Sequence, residues 1–167
     1  MSSKTLFAMA AAVLLVPVGA SAQLATGAVD VTATVDAYAA ITGSGDVAFG
    51  SLSRTVNNVI DAAGGANAAQ RTVTFNSNID ISFSGVPAAL SGPGGASLPV
   101  ALRCSFDAGS GWSVAAACSG LVIPLDNTTT GEVSALLGFG GEILAADVVS
   151  VAAGSYSGTF DVVVTAR

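Results

Sequence analysis

The feature that most constrains this fold is a regular alternation of apolar and polar residues near each end of the chain. The C-terminal run Tyr156–Arg167 reads YSGTFDVVVTAR, and its alternate apolar residues share one face. Its apolar face consists of Phe160, Val162, Val164 and Ala166. The N-terminal run at 27–40 reads GAVDVTATVDAYAA, and its apolar face consists of Val29, Val31, Ala33, Val35 and Ala37. A period of two is typical of a half-buried β-strand, because successive side chains point to opposite faces. Since a free sheet edge accepts a further strand, two such terminal strands predict a subunit that assembles by exchanging strands.

The first 22 residues have the features of a signal peptide. Lys4 supplies a positive charge, the apolar stretch Leu6–Val18 follows, and Ala20-Ser21-Ala22 is a small-residue cleavage signal. The apolar stretch is shorter than the ~20 residues that span a bilayer, which disfavours an uncleaved membrane anchor. We therefore predict a secreted or cell-surface protein with a signal peptide at 1–22, an N-terminal strand at 23–40 and a β-sandwich domain at 41–167.

The predicted mature chain is acidic and poor in charge. Lys4 is the only lysine of the 167 residues, histidine is absent, and four arginines stand against eleven aspartates and glutamates. Scattered arginines on an acidic surface cannot neutralise a run of phosphates, so we predict no nucleic-acid and no DNA partner. Only 10% of the residues are charged, against about 25% in average soluble domains. The remaining surface is apolar or weakly polar, which predicts a protein partner that covers part of it.

The composition also argues against catalysis and against a bound cofactor. Serines are abundant, but the mature chain has no histidine or lysine to act as their base. The nearest carboxylate pairs, Asp30 with Asp36 and Asp126 with Glu132, fit solvated strand edges and turns. Trp112 is in phase with neighbouring apolar residues, as expected for a core side chain. We predict no catalytic, cofactor-binding or metal-binding residues and therefore a protein that is not an enzyme.

Both cysteines, Cys104 and Cys118, lie in the part of the chain that is predicted to be exported. In an oxidising compartment two cysteines usually form a disulfide, whereas two thiols without histidine make a poor zinc site. The cysteines fall on the apolar phase of two adjacent predicted strands, Leu98–Phe106 and Trp112–Cys118. The sequence therefore predicts an inward-facing disulfide near a hairpin, which would stabilise the fold by about 3 kcal/mol.

Further strand patterns recur along the chain, with turns rich in Gly, Asn and Ser between them. The predicted strands are Asp46–Phe49, Arg71–Asn76, Ile79–Ser84 and Leu121–Leu125. The short link Asn76-Ser77-Asn78 predicts a hairpin between the second and the third. Residues 132–153 fit two short strands around Gly138–Gly141 or a helical turn in the later apolar stretch, and the β-branched valines favour strands. This pattern predicts an all-β, antiparallel sandwich.

Two stretches resemble secreted fimbrial subunits of the spore coat protein U family and related chaperone–usher pilin-like domains. In Val31–Leu52 an alternating strand leads to Asp46-Val47-Ala48-Phe49-Gly50, a D-x-x-F-G element. In Ala152–Ala166 a glycine and a tyrosine precede an alternating run that resembles their closing strand. The resemblance covers mainly the two ends, and the cysteine that many such subunits carry near the N-terminal strand is absent. It implies an incomplete immunoglobulin-like sandwich completed by a neighbour's strand, with a periplasmic chaperone and an outer-membrane usher as partners.

These observations lead to two functional hypotheses. The first is a structural subunit of an extracellular filament, pilus or surface coat, in which Gln23–Ala39 is donated to a groove beside Gly158–Ala166 of a second copy. In the competing placement, the N-terminal segment is the first strand of its own sandwich. The second hypothesis is a monomeric, secreted β-sandwich module that binds a carbohydrate or a surface partner.

Overall fold

The computed structural model describes residues 32–167. This part of the chain contains eleven β-strands, a 3-10 turn at Pro93–Gly95 and a short helix, α1 (Ala145–Val149). The strands are β1 (Ala39–Thr42), β2 (Asn58–Ile60), β3 (Ala69–Phe75), β4 (Ile79–Ser84), β5 (Ala89–Ser91), β6 (Ser97–Pro99), β7 (Ala101–Asp107), β8 (Ala116–Ala117), β9 (Val122–Leu125), β10 (Val133–Ile143) and β11 (Asp161–Ala166). The predicted signal peptide lies outside the described residues, as does most of the predicted N-terminal strand.

The strands form two main antiparallel sheets that share one core. The larger sheet has the order β1-β3-β10-β7-β8, and β2 also pairs with β10. The smaller sheet has the order β11-β4-β9, while β5 and β6 form a separate pair. The main cluster of buried apolar residues contains side chains from both main sheets. The predicted all-β antiparallel sandwich is confirmed.

Alternating residues of β3 and β4 supply the centre of this core. Val73 and Phe75 are buried from the larger sheet, and Ile79 and Ile81 are buried from the smaller one. Strand β4 begins and ends where the sequence predicts. Burying a large apolar side chain contributes about 1.5–3 kcal/mol, so four such residues strongly favour this pairing of faces.

The link Asn76–Asn78 does not form the predicted hairpin. Strand β3 pairs with β1 and β10, whereas β4 pairs with β9 and β11, so the link carries the chain from one sheet to the other. Asn78 fixes the link to the smaller sheet, because its Oδ1 accepts the N–H of Asn127 and its backbone oxygen accepts the N–H of Arg167, both at 2.9 Å. The short polar link is compatible with a hairpin and with a crossing between the two sheets. The crossing forms because the apolar faces of β3 and β4 are buried against each other across the core.

The strands around the cysteines are shorter than predicted. Leu98–Phe106 is divided between β6 and β7, and only β8 forms within Trp112–Cys118. Val114 is 94% exposed, so the predicted inward face of the second strand is wrong at this position. Ser113 explains the difference: its backbone oxygen accepts the Ser105 hydroxyl at 2.7 Å, and its Oγ accepts the N–H of Phe106 at 3.0 Å. Such side-chain bonds compete with a regular ladder.

Residues 132–153 contain one long strand and a helical turn, not the two short strands that the valines favour. Strand β10 runs without a break through its glycines, and α1 follows it. A Cβ atom at Gly138 would collide with the backbone oxygen of Ala62, and one at Gly140 with that of Ile60. The glycines therefore mark a close approach of the 60–62 backbone to the middle of the strand.

Cys104 and Cys118 form a disulfide, with their Cα atoms 5.1 Å apart. Both residues are buried in the main core. Cys104 belongs to β7, and Cys118 directly follows β8, which pairs with β7. The bond lies near a short hairpin and faces inward, as the sequence predicts.

Replacing both cysteines by alanine is expected to lower the free energy of unfolding by about 3 kcal/mol, because the unfolded chain regains the entropy of an open loop. Urea unfolding of the variant beside the oxidised protein measures this difference. The reduced wild-type chain is the matched control and should unfold near the variant's midpoint. Mass spectrometry of the unreduced protein that finds two free thiols, or a disulfide-linked dimer, would contradict the assignment.

Candidate functional site

Strand β11 leaves one edge of the smaller sheet open. It pairs with β4, and just beyond it the N–H of Arg167 donates to the backbone oxygen of Asn78. In an antiparallel ladder alternate residues face the same neighbour, so the backbone groups of Val162, Val164 and Ala166 point away from β4. These outward groups form no backbone hydrogen bond within residues 32–167. The edge thus offers alternating N–H and C=O groups to a further strand.

The other edge of the same sheet is protected. Alternate residues of β4 direct their backbone groups to its two neighbours, so the backbone groups of Ile79 and Ile81 point toward β9. In the same register, the backbone groups of Pro124 in β9 point away from β4. A proline at such a position has no N–H to donate to another strand. In the larger sheet, the edge strands β1 and β8 have only four and two residues. Natural sheets use prolines and short strands to prevent edge pairing. Among the described strands, β11 combines an open edge with greater length and no proline.

A furrow follows the open edge of β11. It consists of a cavity of 1080 Å³ next to Phe160 and Val162 and a smaller one of 260 Å³ next to Val164 and Ala166. We call the two together the open-edge furrow. The opposite wall is formed by the β1 residues Ile41, beside the first cavity, and Ala39, beside the second. The furrow therefore lies between the edge strands of the two main sheets, where a further strand would complete the sandwich.

Three aromatic rings meet at the start of β11, next to the furrow. Phe83 of β4, Phe139 of β10 and Phe160 before β11 meet edge to face, with ring centroids 5.6 to 6.4 Å apart. Phe139 and Phe160 also line the larger cavity. Such pairs are worth roughly 0.5–1.5 kcal/mol beyond their buried area. The rings hold the start of β11 against the larger sheet and provide an apolar floor for an incoming side chain.

The predicted strand Asp46–Phe49 is not a strand. This segment lines the larger cavity and forms no backbone–backbone hydrogen bond within the described part of the chain. Val47 and Phe49 nevertheless pack against buried apolar clusters, while Ala48 between them is exposed. Arg71 holds the start of the segment, because its Nη2 donates to the backbone oxygen of Gly45 at 2.8 Å. The alternation correctly predicted which side chains pack inward, but the segment lines the furrow without pairing with a strand.

Part of the predicted N-terminal strand belongs to the sandwich itself. Ala39 and Ala40 form β1 with β3 of the same chain, so the predicted boundary at residue 40 lies inside a strand. Val29 and Val31 lie outside the described residues. The remaining inward positions, Ala33, Val35 and Ala37, are exposed and do not belong to a strand; Val35 is 85% exposed.

Asn76 clamps the chain where the N-terminal segment joins the sandwich. Its Oδ1 accepts the N–H of Tyr38 at 2.6 Å, and its Nδ2 donates to the backbone oxygen of Asp36 at 3.0 Å. The N–H of Asn76 also donates to the backbone oxygen of Tyr38 at 3.1 Å. Asn76 lies in the link that the sequence assigns to a hairpin. The sequence shows that this link is polar, but it does not show that Asn76 binds Asp36 and Tyr38.

Charged side chains line part of the furrow, because Asp46, Arg54, Arg71 and Asp161 border its larger cavity. The described ion pairs lie at the end of the smaller sheet, where Arg167 contacts Asp126 and its Nε lies 3.0 Å from Asp80. These exposed pairs contribute at most about 1 kcal/mol each. Within residues 32–167, no group of three or more acidic, cysteine or histidine side chains is arranged to hold a metal ion. The same residues include no helix that is long and apolar enough to cross a membrane.

No protein-family model matches the chain. No curated protein matches it either.

Proposed function

We propose that this protein is a secreted structural subunit of an extracellular filament, pilus or surface coat, assembled by donor-strand exchange. The open edge of β11, with its unpaired backbone groups beside the partly apolar open-edge furrow, is the observation that carries this proposal. A strand inserted there would form main-chain hydrogen bonds with β11 and place alternate side chains in the furrow. The sandwich would then be an incomplete immunoglobulin-like fold, as the resemblance to fimbrial subunits implies.

The N-terminal segment of a second copy is the proposed occupant. The Asn76 clamp begins at Asp36, which leaves Gln23–Val35 as the donor. These thirteen residues reach about 43 Å when extended at ~3.3 Å per residue. The furrow follows β11 from Phe160 to Ala166, which is shorter. The donor's inward residues are alanine and valine, small enough to enter a furrow between two sheets.

Geometry favours exchange between copies over insertion of a chain's own segment. Ala37, Tyr38 and Ala39 line the small cavity together with Ala166, so the segment joins its own fold beside the C-terminal end of β11. Running back along β11 from that point, it would lie parallel to the strand. A segment from another copy is free to pair antiparallel, which is the more stable arrangement. Until assembly an exposed edge needs a cover, and a periplasmic chaperone and an outer-membrane usher are the partners that the resemblance implies.

Size-exclusion chromatography and negative-stain electron microscopy of the mature chain Gln23–Arg167 test the proposal. We expect large species on the column and filaments on the grid, with thermal stability above that of the monomer, because assembly stabilises only the folded state. A chain that stays monomeric at every concentration and shows no fibres would contradict the proposal and favour the carbohydrate- or partner-binding module.

A further inference from the structure

Trp112 lies on the outer face of the larger sheet. In β10, Leu137 and Phe139 are buried in the core, so Gly138 between them is on the opposite face. A Cβ atom at Gly138 would lie 2.8 Å from Cζ3 of Trp112, and one at Gly64 would lie 3.2 Å from its Nε1. The indole ring therefore packs against these two glycines. It belongs to neither buried apolar cluster and does not occupy the core position that the sequence predicts.

Polar groups next to the indole ring are free to bind a ligand. Gln70 of β3 is in register with Gly138 and is exposed. Its Nε2 would lie 3.6 Å from a Cβ atom at Gly64, on the same side as the indole Nε1. Within residues 32–167, the two side chains take part in no hydrogen bond, and neither is a buried group without a partner. An indole N–H donates, and an amide both donates and accepts.

The sheet surface that continues from Gln70 is neutral and rich in hydroxyl groups. Its outward side chains form cross-strand rows on β1, β3 and the first half of β10. Together with Trp112 they are called the outer platform, and they are Thr42, Gln70, Thr72, Thr74, Ser134 and Leu136.

The two carboxylates nearest to the outer platform are occupied by their own turns. Oδ1 of Asp107 accepts the N–H of Gly109 at 2.7 Å and that of Gly111 at 2.9 Å. Oδ1 of Asp61 accepts the N–H of Ala63 at 2.9 Å. The outer platform itself contains no arginine, which an anionic ligand would need for charge-assisted hydrogen bonds. Its chemistry suits a neutral ligand with many hydroxyl groups.

We propose that the outer platform binds a neutral saccharide chain, with one sugar ring stacked on Trp112. The face of an aromatic ring is electron-rich, and the C–H groups on one side of a sugar ring are weakly positive, so the two surfaces attract each other. The sugar hydroxyls would then bond to the Gln70 amide and to the threonine hydroxyls beyond it. This surface is on the side of the larger sheet away from the core and the open-edge furrow, so the inference does not rest on strand exchange.

Tryptophan fluorescence tests this proposal directly, because Trp112 is the only tryptophan of the chain. The mature chain Gln23–Arg167 is titrated with cellohexaose, chitohexaose and mannohexaose, and with hexagalacturonic acid as the anionic control. We expect a saturable change in emission with at least one neutral sugar and none with the anionic one. No saturable change with any neutral sugar, or an equal response to hexagalacturonic acid, overturns the proposal.

Gln70→Ala retains the fluorescent ring and is expected to weaken binding of the sugar by roughly 3- to 10-fold, the loss of one hydrogen bond. Gln70 is exposed, so the melting temperature should not change. Ser84→Ala is the control, since Ser84 is an exposed residue of β4 in the smaller sheet. It should bind the sugar as the wild type does. Unchanged binding by Gln70→Ala, or an equal loss in Ser84→Ala, contradicts a site on the outer platform.

Discussion

The mature chain carrying Val31→Asp and Val35→Asp is expected to remain a folded monomer under conditions in which the wild-type chain forms filaments. Both positions are in the inward phase of the donor, so each carboxylate would have to leave water to enter the furrow between the two sheets. An unpaired buried carboxylate costs several kcal/mol. In the described fold Val35 is 85% exposed, so a charge at this position does not disturb the core, and Val31 lies outside the described residues. Light scattering after size exclusion, electron microscopy and circular dichroism measure the outcome.

Thr32→Asp with Thr34→Asp is the matched control for this experiment. It adds the same two charges to the same segment, but in the outward phase of the alternation, where water remains accessible. This chain should still polymerise, with at most a modest dependence on salt. Filaments from the valine variant, or loss of its β-sheet signal, would be incompatible with a donated strand.

Val164→Pro is expected to abolish polymerisation while the subunit stays folded. The N–H of Val164 points away from β4, so proline removes a donor from the open edge without removing a hydrogen bond from the subunit's own sheet. An incoming strand would lose that bond and meet the proline ring. Sedimentation of the assembled fraction measures polymerisation, and thermal melting by circular dichroism reports on the fold.

Val163→Pro, one residue away, tests the same geometry with the opposite expectation. Its N–H is in the phase that faces β4, because Arg167 four residues later donates to Asn78. Proline there leaves a backbone oxygen of β4 without its donor, which costs about 1–3 kcal/mol. The melting temperature should fall clearly below that of Val164→Pro. The opposite result, in which Val164→Pro unfolds the subunit and Val163→Pro only blocks polymerisation, would mean that the backbone groups of Val163, not those of Val164, point to the open edge.

The alternation in the sequence correctly predicted the burial of individual side chains. Val73, Phe75, Ile79 and Ile81, the alternate apolar residues of two predicted strands, are buried. Even Phe49, which is not in a strand, packs against a buried cluster. A period of two shows which side chains point to the buried face of a strand, and this follows from neighbouring residues alone.

Strand pairing was predicted less well, because pairing partners are distant in the chain. The Asn76–Asn78 link was compatible with a hairpin and with a crossing between sheets, and nothing local distinguishes them. The glycines of β10 illustrate the same limit. A side chain is excluded at Gly138 and Gly140 because the 60–62 backbone passes close to them, and that contact is distant in sequence. Of the candidate site, the sequence pointed to β11, whereas the contacts of Asn76 with the N-terminal segment became visible only in the folded structure.

The sequence by itself determined the antiparallel β class, the inward phase of the main strands and the cysteine pair, since each follows from side-chain periodicity or composition. Only the tertiary structure decided which sheet each strand joins, which edge stays open and where the N-terminal segment joins the sandwich. Those properties depend on hydrogen bonds between residues far apart in the chain, such as Asn76 with Tyr38 and Asn78 with Arg167. An edge is open only because no other strand in the described fold reaches it, and that is a property of the whole sandwich and not of any segment.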